Sequence, residues 1–333
     1  MEGYVAPELA FNASSGAFCI WRTNLAIDAR SIPHRDSTDH KHLPLVACIQ
    51  MEPRVGAKRD NVARTLERIE MAAAHGASLV VLPELANSGY VFADRAEAVA
   101  LAEDLTDSET LRNWCAAARR LNVYLVAGIA ERERDHDRLY NSAVFVGPDG
   151  LIGCYRKLHL WNDEKRFFEP GDLGLPVYDT PFGRLAIAIC YDGWFPEVYR
   201  LAAAQGADLV CMPTNWVPMP GQRSDQPAIA TTLAMAAAHS NGLMIACADR
   251  IGTERGQAFL GQSVIVGGNG MPLAGPASCD REEILYAPID IERIRAGRSL
   301  GPLNHVLQDR RTDLYELFDP STGNGAPPRG GAG

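Results

Sequence analysis

The stretch Ala74-His-Gly-Ala-Ser-Leu-Val-Val-Leu-Pro83 determines the fold, because the chain repeats its pattern at Ala204-Gln-Gly-Ala-Asp-Leu-Val-Cys-Met-Pro213. Both copies follow the pattern A-x-G-A-x-L-V-x-x-P. In each copy a glycine ends a helical segment, and the apolar run after it predicts a strand buried on both faces. The proline that follows breaks the strand. The repetition therefore predicts one fold made of two similar halves.

The segments around each copy favour the same arrangement. Leu45 to Met51 predicts a strand before the first copy, and residues 185–189 predict a matching strand before the second. Residues 122–132 and 241–250 resemble each other in pattern, and a glycine-containing hairpin follows each of them. Each half thus supplies a sheet with helices that cover one face. Stacking the two uncovered faces predicts an α/β fold of four layers, α-β-β-α.

The chain divides into three segments. Residues 1–43 are polar and irregular, and we expect them to form an extension that lies over the body of the protein or over a partner subunit. Residues 44–290 carry the repeated pattern and form the predicted domain. Residues 291–333 are expected to form a tail that packs on a partner subunit, and its end, Asp319 to Gly333, is rich in glycine and proline and is predicted to be disordered.

Composition and charge argue against several classes of function. The chain has 333 residues and a net charge of −9, so it offers no basic surface to a nucleic acid or an anionic membrane. It has no apolar run long enough to span a membrane and no basic leader at Glu2, which predicts a cytoplasmic protein. Its 8 cysteines form no C-x-x-C pair, which predicts free thiols. We expect no metal and no cofactor, and a small molecule or another protein as partner.

Cys190 is the candidate nucleophile. It follows the buried run 185–189, at the carboxyl end of a strand, where open α/β sheets bind ligands. The turn at Asp192-Gly193 and a helix near Pro196 come next, and amide groups at a helix start favour a thiolate. A small buried apolar residue is an equal interpretation of the same pattern.

Glu84 and Lys157 complete a possible catalytic set. Glu84 directly follows the first copy of the repeat, at the same rim as Cys190, where burial can raise the pKa of its carboxyl group; a helix N-cap or a solvated charge is the alternative. Lys157 is flanked by apolar residues and can reach this rim, or it is an ordinary surface lysine. Glu84 would accept the proton of Cys190 and return it to the leaving nitrogen. Lys157 and the backbone N–H of Tyr191 would stabilise the oxyanion.

Three motifs resemble those of the nitrilase superfamily, the carbon-nitrogen hydrolases. They are Leu82-Pro-Glu-Leu85 with Gly89-Tyr90, then Tyr155-Arg-Lys-Leu-His159, then Ile189-Cys-Tyr-Asp192 with Pro196-Glu197. The resemblance covers residues 44–290 and implies an αββα sandwich, the triad Glu84, Lys157 and Cys190, and subunits paired into dimers or larger assemblies. The segment 164–171 is similar to the one that carries a second active-site glutamate in amidases and carbamoylases. This similarity implies that Glu164 positions the substrate or assists Lys157.

Two departures from the family pattern narrow the expected substrate. Nitrilases commonly have Trp-Glu after the cysteine, whereas this chain has Tyr191-Asp192, which favours amide over nitrile substrates. N-carbamoyl-D-amino-acid hydrolases have arginines where this chain has Gly193 and Trp194, so a carboxylate clamp is not expected. The predicted reaction is hydrolysis of a small, uncharged or apolar carboxamide to acid and ammonia through a thioester on Cys190. Hydrolysis of an N-carbamoyl amide is the second hypothesis, and hydrolysis of a nitrile is the third.

Several residues are candidates for binding the substrate. They are Tyr90, Trp161, Trp194, Asn215 and Trp216. Each aromatic ring could equally pack in the core, and Asn215 could form a turn. A Cys–His pair that uses His159 or His239 also stays open, because the sequence does not show which base lies near the sulfur. A non-catalytic scaffold of the same fold would tolerate loss of the triad, whereas all three residues are present, which favours an enzyme.

Overall fold

The computed structural model describes residues 43–133, 137–222 and 226–313. These residues form two six-stranded sheets and two separate two-stranded hairpins. The predicted N-terminal extension up to residue 42 and the predicted disordered end lie outside the described residues.

The first half of the chain alternates strands with capped helices. Ser108 caps one helix by accepting a hydrogen bond from the amide of Leu111, and Asn122 ends that helix in a left-handed conformation with φ 54°. The elements in chain order are β1 (Leu45–Gln50), α1 (Lys58–Ala74), β2 (Ala77–Val81), α2 (Arg95–Leu101), α3 (Glu109–Leu121), β3 (Tyr124–Glu133), β4 (Arg138–Gly147) and β5 (Gly150–Arg156).

The second half repeats this order and then adds a C-terminal segment. Pro196 stands in the first turn of a helix, where its missing N–H is not needed. The elements are β6 (Val177–Thr180), β7 (Gly183–Ile187), α4 (Pro196–Ala204), β8 (Leu209–Pro213), α5 (Ile229–Asn241), β9 (Met244–Ala248), β10 (Thr253–Glu254), β11 (Gln257–Ala258), β12 (Val264–Val266), β13 (Pro272–Ala274), β14 (Glu283–Pro288), α6 (Ile291–Ala296), β15 (Ser299–Gly301) and β16 (Asn304–His305).

The two large sheets have the same topology. Their strand orders are β14-β1-β2-β3-β4-β5 and β13-β12-β9-β8-β7-β6, so β1 to β5 correspond to β7, β8, β9, β12 and β13. Strands β1, β2 and β3 are parallel, with Val80 opposite Leu125, and so are β7, β8 and β9, with Val210 opposite Ile245. The later strands form antiparallel hairpins. The predicted α-β-β-α sandwich is confirmed.

The sheets pack against each other and leave their outer faces to the helices. Val46 and Phe145 of the first sheet share one buried core with Cys211 and Ala246 of the second. Helices α1 and α3 pack on the first sheet, while α4 and α5 pack on the second. At one rim the sheets meet directly, because Met51 after β1 bridges Arg250 after β9. The loops at the carboxyl ends of the parallel strands therefore converge at this rim.

The described part of the predicted tail packs on the domain itself. Ile294 of α6 is buried and belongs to the same hydrophobic cluster as the residues of the second sheet. Arg295 and Arg298 form ion pairs with the fully buried Asp208, at 2.8 and 3.1 Å. None of the described helices combines the length and the apolar character that a membrane span requires.

Candidate active site

Cys190 lies where the chain leaves β7 and turns toward α4. It begins a short 3₁₀ turn, Cys190–Trp194, with a positive φ of 45°. The buried carboxylate of Asp192 fixes this turn. Its Oδ2 accepts hydrogen bonds from the amide of Ile189 at 2.8 Å and the hydroxyl of Tyr155 at 2.7 Å. Its Oδ1 accepts from the amide of His159 at 3.0 Å and lies 2.8 Å from that ring's Nδ1.

Glu84 and Lys157 form a buried ion pair at the same rim. Lys157 Nζ lies 2.6 Å from Oε1 of Glu84, and both side chains are 0% exposed. The side-chain amide of Asn141 donates a second hydrogen bond to Oε1 at 2.6 Å. The other carboxylate oxygen, Oε2, is buried and has no hydrogen-bond partner among the described residues. Glu84 is therefore oriented through one oxygen, and the other accepts no hydrogen bond from the described residues.

Glu164 joins this ion pair from the 3₁₀ turn Asn162–Arg166. Its Oε1 lies 2.7 Å from Lys157 Nζ and accepts a hydrogen bond from the Tyr90 hydroxyl at 2.6 Å. Its Oε2 accepts from the backbone amide of Trp161 at 3.2 Å. The structure thus brings two carboxylates, one ammonium and one phenol into a single buried cluster.

Burial and charge set the protonation of this cluster. Burial raises the pKa of Glu84 to about 7; Lys157 opposes the rise and Glu164 adds to it. Burial also disfavours the charged form of Lys157, but Glu164 and Glu84 more than offset this and raise its pKa, so it is an ammonium. Burial and then Glu84 raise the pKa of Cys190 well above its ordinary value, while Lys157 lowers it. The resting thiol is therefore protonated and needs a base.

Four of the five predicted substrate-binding residues line the cavity beside Cys190, and the fifth, Tyr90, lines a neighbouring cavity. The cavity beside Cys190 has a volume of about 10 Å³, and its walls include Trp161, Tyr191, Trp194, Asn215 and Trp216. The side-chain amide of Asn215 donates to the backbone oxygen of Glu84 at 3.0 Å, which joins the two halves at the site. A second cavity of about 70 Å³ lies beside Tyr90 and Glu164. Trp161 and Val217 line both cavities.

The two histidines lie outside this chamber. Within the described residues, neither His159 nor His239 lines the cavity that contains Cys190. His159 contacts Asp192 instead, and its ring stacks on Phe195 with centroids 3.7 Å apart. His239 is exposed in the last turn of α5.

Two polar residues of the site were missed by the sequence analysis. Asn141 was not singled out, although a polar residue inside the apolar run of β4 indicates a buried partner. Asp192 was interpreted only as part of a turn and a family motif, whereas its carboxylate holds the turn that carries Cys190. Among the described residues no group of three His, Cys, Asp or Glu side chains could hold a metal ion.

Comparison with known proteins identifies the family of this chain. Residues 45–299 match the carbon-nitrogen hydrolase family, so the chain belongs to that family and is a hydrolase of carbon–nitrogen bonds. The predicted membership of the nitrilase superfamily is confirmed.

The proteins that resemble this chain are named for different activities. A nitrilase of Pyrococcus abyssi is 42% identical over 270 residues, which cover 81% of this chain and 98% of the relative. An N-carbamoylputrescine amidase of Arabidopsis thaliana is 32% identical over 79% of this chain and 91% of its own. An amidase from Nesterenkonia sp. superimposes with a TM-score of 0.70 at 27% identity, over 82% of this chain and 95% of that one. A variant of the Nesterenkonia amidase carries the acetamide moiety of fluoroacetamide on its active-site cysteine.

Proposed function

We propose that this protein is an amidase that hydrolyses small, uncharged or apolar carboxamides to a carboxylic acid and ammonia. The observation that carries the proposal is the state of Glu84. One of its oxygens is held by Lys157 and Asn141, the other has no partner in the described part of the chain, and its pKa is about 7. A base with such a pKa next to a protonated thiol is suited to activate that thiol at neutral pH.

In the first half of the reaction, Cys190 Sγ attacks the carbonyl carbon of the amide. Glu84 accepts the thiol proton as the carbon–sulfur bond forms, and the carbonyl electrons move onto oxygen. The carbon–nitrogen bond then breaks, and Glu84 returns the proton to the nitrogen, which leaves as ammonia. The acyl group remains as a thioester on Cys190. The cysteine adduct in the Nesterenkonia amidase supports a nucleophilic role for the corresponding sulfur.

In the second half, water attacks the thioester. Glu84, again ionised, removes a proton from the water as the new carbon–oxygen bond forms. The carbon–sulfur bond then breaks, the acid is released, and the sulfur recovers its proton from Glu84. The same carboxyl group thus acts as base and acid in turn.

The oxyanion in both halves requires donors already in place. An ammonium has three donors, and Lys157 uses two of them on Glu84 and Glu164, so one is left for the oxyanion. The backbone N–H of Tyr191 stands at the beginning of a 3₁₀ turn, where amides lack a partner within the turn. Lys157 and Tyr191 therefore supply the two donors of the proposed oxyanion hole.

The walls of the site support a small substrate without a carboxylate. The cavities of about 10 and 70 Å³ leave little volume for an acyl group, and Trp161 and Val217 line both of them. No Arg or Lys is among the described residues that line them. A Cβ at Gly193 would lie 2.9 Å from the hydroxyl of the buried Tyr199, so an arginine there would require this side chain to shift. We therefore propose that Tyr90, Trp161, Trp194, Asn215 and Trp216 contact a neutral substrate.

Hydrolysis of an N-carbamoyl amide is the second candidate. Asp163 and Glu164 form part of the wall of the larger cavity and would favour a cationic tail on the substrate. The name of the Arabidopsis thaliana relative, an N-carbamoylputrescine amidase, points the same way. Nitrile hydrolysis is the third candidate, and the name of the Pyrococcus abyssi relative supports it.

A substrate panel separates these candidates. Ammonia release is measured with short aliphatic amides, with N-carbamoyl amines of equal length, and with the matching nitriles. We expect kcat/KM to be highest for the short amides and to fall as the acyl chain grows. Turnover restricted to nitriles or to carbamoyl compounds would contradict the amidase assignment.

The nucleophile is tested with cysteine variants. Cys190→Ala should lose at least about 1,000-fold in kcat/KM, whereas Cys279→Ala, at an exposed position, should retain full activity. Acid quenching during turnover of the wild type should reveal an added acyl mass, which digestion should locate on Cys190. Equal activity of Cys190→Ala and wild type would disprove the mechanism.

We also propose a cytoplasmic location and a homodimer or larger assembly. The cysteines within the described ranges are free, which agrees with a reducing compartment. Leu201 of α4 and Ile229 of α5 are 53% and 47% exposed, and these neighbouring helices provide an apolar surface for a second copy. Size-exclusion chromatography with light scattering tests the assembly.

A further inference from the structure

The hairpin formed by β10 and β11 holds the segment that carries Tyr90. It stands apart from both large sheets and turns through Arg255 and Gly256, which have positive φ values of 47° and 87°. Arg255 donates a hydrogen bond to the backbone oxygen of Val91 at 2.9 Å and pairs with both oxygens of Glu97, at 2.5 and 2.7 Å. The hairpin therefore holds the loop after Glu84 from outside.

Glu254 in this hairpin is a buried carboxylate that binds backbone amides of the other half. Its Oε2 accepts hydrogen bonds from the amides of Tyr90 at 2.8 Å and Val91 at 2.7 Å. Its Oε1 accepts from the amide of Val55 at 2.7 Å. The charge is balanced by Arg250, whose Nη1 donates to Oε2 at 3.2 Å. One side chain thus fixes two loops of the first half.

The contacts continue from this carboxylate to the active site. The guanidinium of Arg250 lies over the ring of Phe259 at 4.0 Å, and that ring meets Tyr90 edge-on with centroids 5.8 Å apart. The hydroxyl of Tyr90 then donates to Glu164, which also binds Lys157. The backbone and the ring of Tyr90 are therefore both held by residues 250–259.

The Tyr90 segment packs closely against the loop of Val55. Gly89 has a φ of 81°, and a Cβ added there would lie 2.3 Å from the backbone of Val55. The same Val55 amide is bound by Glu254. If the carboxylate loses its capacity to accept these amides, the two loops must separate, and the phenol of Tyr90 must move with its backbone.

We propose that Glu254 is a positioning residue for the amidase reaction, and this inference rests on the proposed function. By holding the amides of Tyr90 and Val91, Glu254 keeps the Tyr90 hydroxyl on Glu164, and Glu164 in turn keeps Lys157 directed at the oxyanion. Glu254 does not contact the substrate. Its effect on catalysis passes through the Tyr90 hydroxyl.

The test is a double-mutant cycle between Glu254 and that hydroxyl. Glu254→Gln retains the shape, but one amide nitrogen then faces N–H donors, so we expect kcat/KM to fall about 10- to 100-fold. Tyr90→Phe should give a loss of similar size. The kcat/KM of the double variant should be at most about threefold lower than that of Tyr90→Phe. If the double variant instead loses the product of the two single losses, the proposal is overturned, because Glu254 would then act independently of the hydroxyl.

Two further measurements separate positioning from general stability. Asp208→Asn is the matched control, since Asp208 is a buried carboxylate that also binds a backbone amide and arginines. Asp208 directly precedes β8, whereas the active-site rim lies beyond the carboxyl end of that strand. It should lower Tm without lowering kcat/KM. Glu254→Gln should lower Tm equally in the wild type and in the Tyr90→Phe variant, while its kinetic effect should appear only when the tyrosine is present.

A crystal structure of Glu254→Gln tests the geometry without reference to activity. The Tyr90 hydroxyl should lie beyond hydrogen-bond distance of Glu164, compared with 2.6 Å in the wild type. An unchanged distance would overturn the positioning role even if the amidase assignment stands. Conversely, if the wild type releases no ammonia from any member of the panel, the proposed function fails, while the displaced hydroxyl would still establish the structural link.

Discussion

The backbone of Cys190 is held in a conformation that its surroundings must maintain. A φ of 45° places a residue with a side chain in the left-handed region, at a cost of about 1–3 kcal/mol. Asp192 offsets this cost, because its carboxylate accepts hydrogen bonds from Ile189 before the turn and from Tyr155 on the first sheet. Asp192 therefore holds the strained turn that carries the sulfur.

Replacing Asp192 tests this account. Asp192→Asn keeps the volume but gives up one acceptor, so one donor among its buried partners is left unpaired. We expect the free energy of unfolding to fall by about 1–3 kcal/mol and kcat/KM to fall at least about tenfold. Urea denaturation and initial rates measure the two effects. Asp107→Asn, at a side chain 67% exposed, should change neither; if the two variants behave alike, Asp192 does not hold the turn.

The pKa of Glu84 predicts the pH dependence of activity. The proposed base must be ionised, and its pKa is raised to about 7, so activity is lost as the pH falls through this value. We expect kcat/KM to rise with pH to a plateau, with a midpoint near 7 in a profile recorded between about pH 5 and 9. Glu84→Gln should abolish the activity across the whole pH range. Glu70→Gln, at a surface ion pair, is the control and should leave the midpoint in place.

Strand β3 fixes the position of Glu84 through one of its residues, Gly128. The amide of Gly128 donates to the backbone oxygen of Pro83, and the Gly128 oxygen accepts from Ala86. A Cβ added at Gly128 would lie 2.5 Å from the Cα of Glu84. The loop after β2 can therefore lie flat on β3 only because this residue has no side chain.

Gly128→Ala should consequently displace the proposed base. We expect the free energy of unfolding to fall by about 1–3 kcal/mol and kcat/KM to fall at least about tenfold. Gly268→Ala is the matched control, because the nearest atom to its added Cβ would be 3.6 Å away. A Gly128→Ala variant with normal kinetics would show that the loop adjusts without moving the carboxylate.

The site is shared between the two halves of the molecule. Glu84 and Lys157 follow strands of the first sheet, whereas Cys190 follows β7 of the second, so catalysis as proposed requires the sheets to stay in register. Phe145 of β4 is fully buried between them and packs on Tyr178 of β6 with ring centroids 5.3 Å apart. This core contact joins the sheets away from the catalytic rim.

Removing that ring should weaken the sandwich as a unit. Phe145→Ala is expected to lower the free energy of unfolding by about 3–5 kcal/mol, because the buried ring leaves a cavity. Denaturant titration followed by tryptophan fluorescence measures the change. Leu303→Ala, at a side chain 89% exposed, should stay within about 0.5 kcal/mol of wild type. Equal stability of the two variants would exclude Phe145 as a major contact between the sheets.

Much of this molecule could be predicted because its repeat is local. The apolar runs before Pro83 and Pro213 each indicate a buried strand, and the structure has β2 and β8 there. Because each half has helices for only one face of its sheet, the two uncovered faces are expected to pack against each other. The side chains Glu84, Lys157 and Cys190 could be placed at one rim for the same reason, although their roles remain predictions.

Other parts depend on contacts between distant residues and left no local pattern. Strand β14 pairs with β1 across more than half of the chain, with Val46 opposite Ala287. The hairpin of Glu254 has strands of two residues each, too short to show any period. The partner of Asn141 depends on register, because a polar residue in a buried strand does not reveal which neighbour it meets.

The small chamber around Cys190 also determines which irreversible inhibitors can reach it. With 6% of the residue exposed and indole rings on several sides, the sulfur is open only to compact electrophiles. A haloacetamide should alkylate it, whereas a bulky maleimide should label the exposed Cys279 and leave Cys190 unmodified until the protein unfolds.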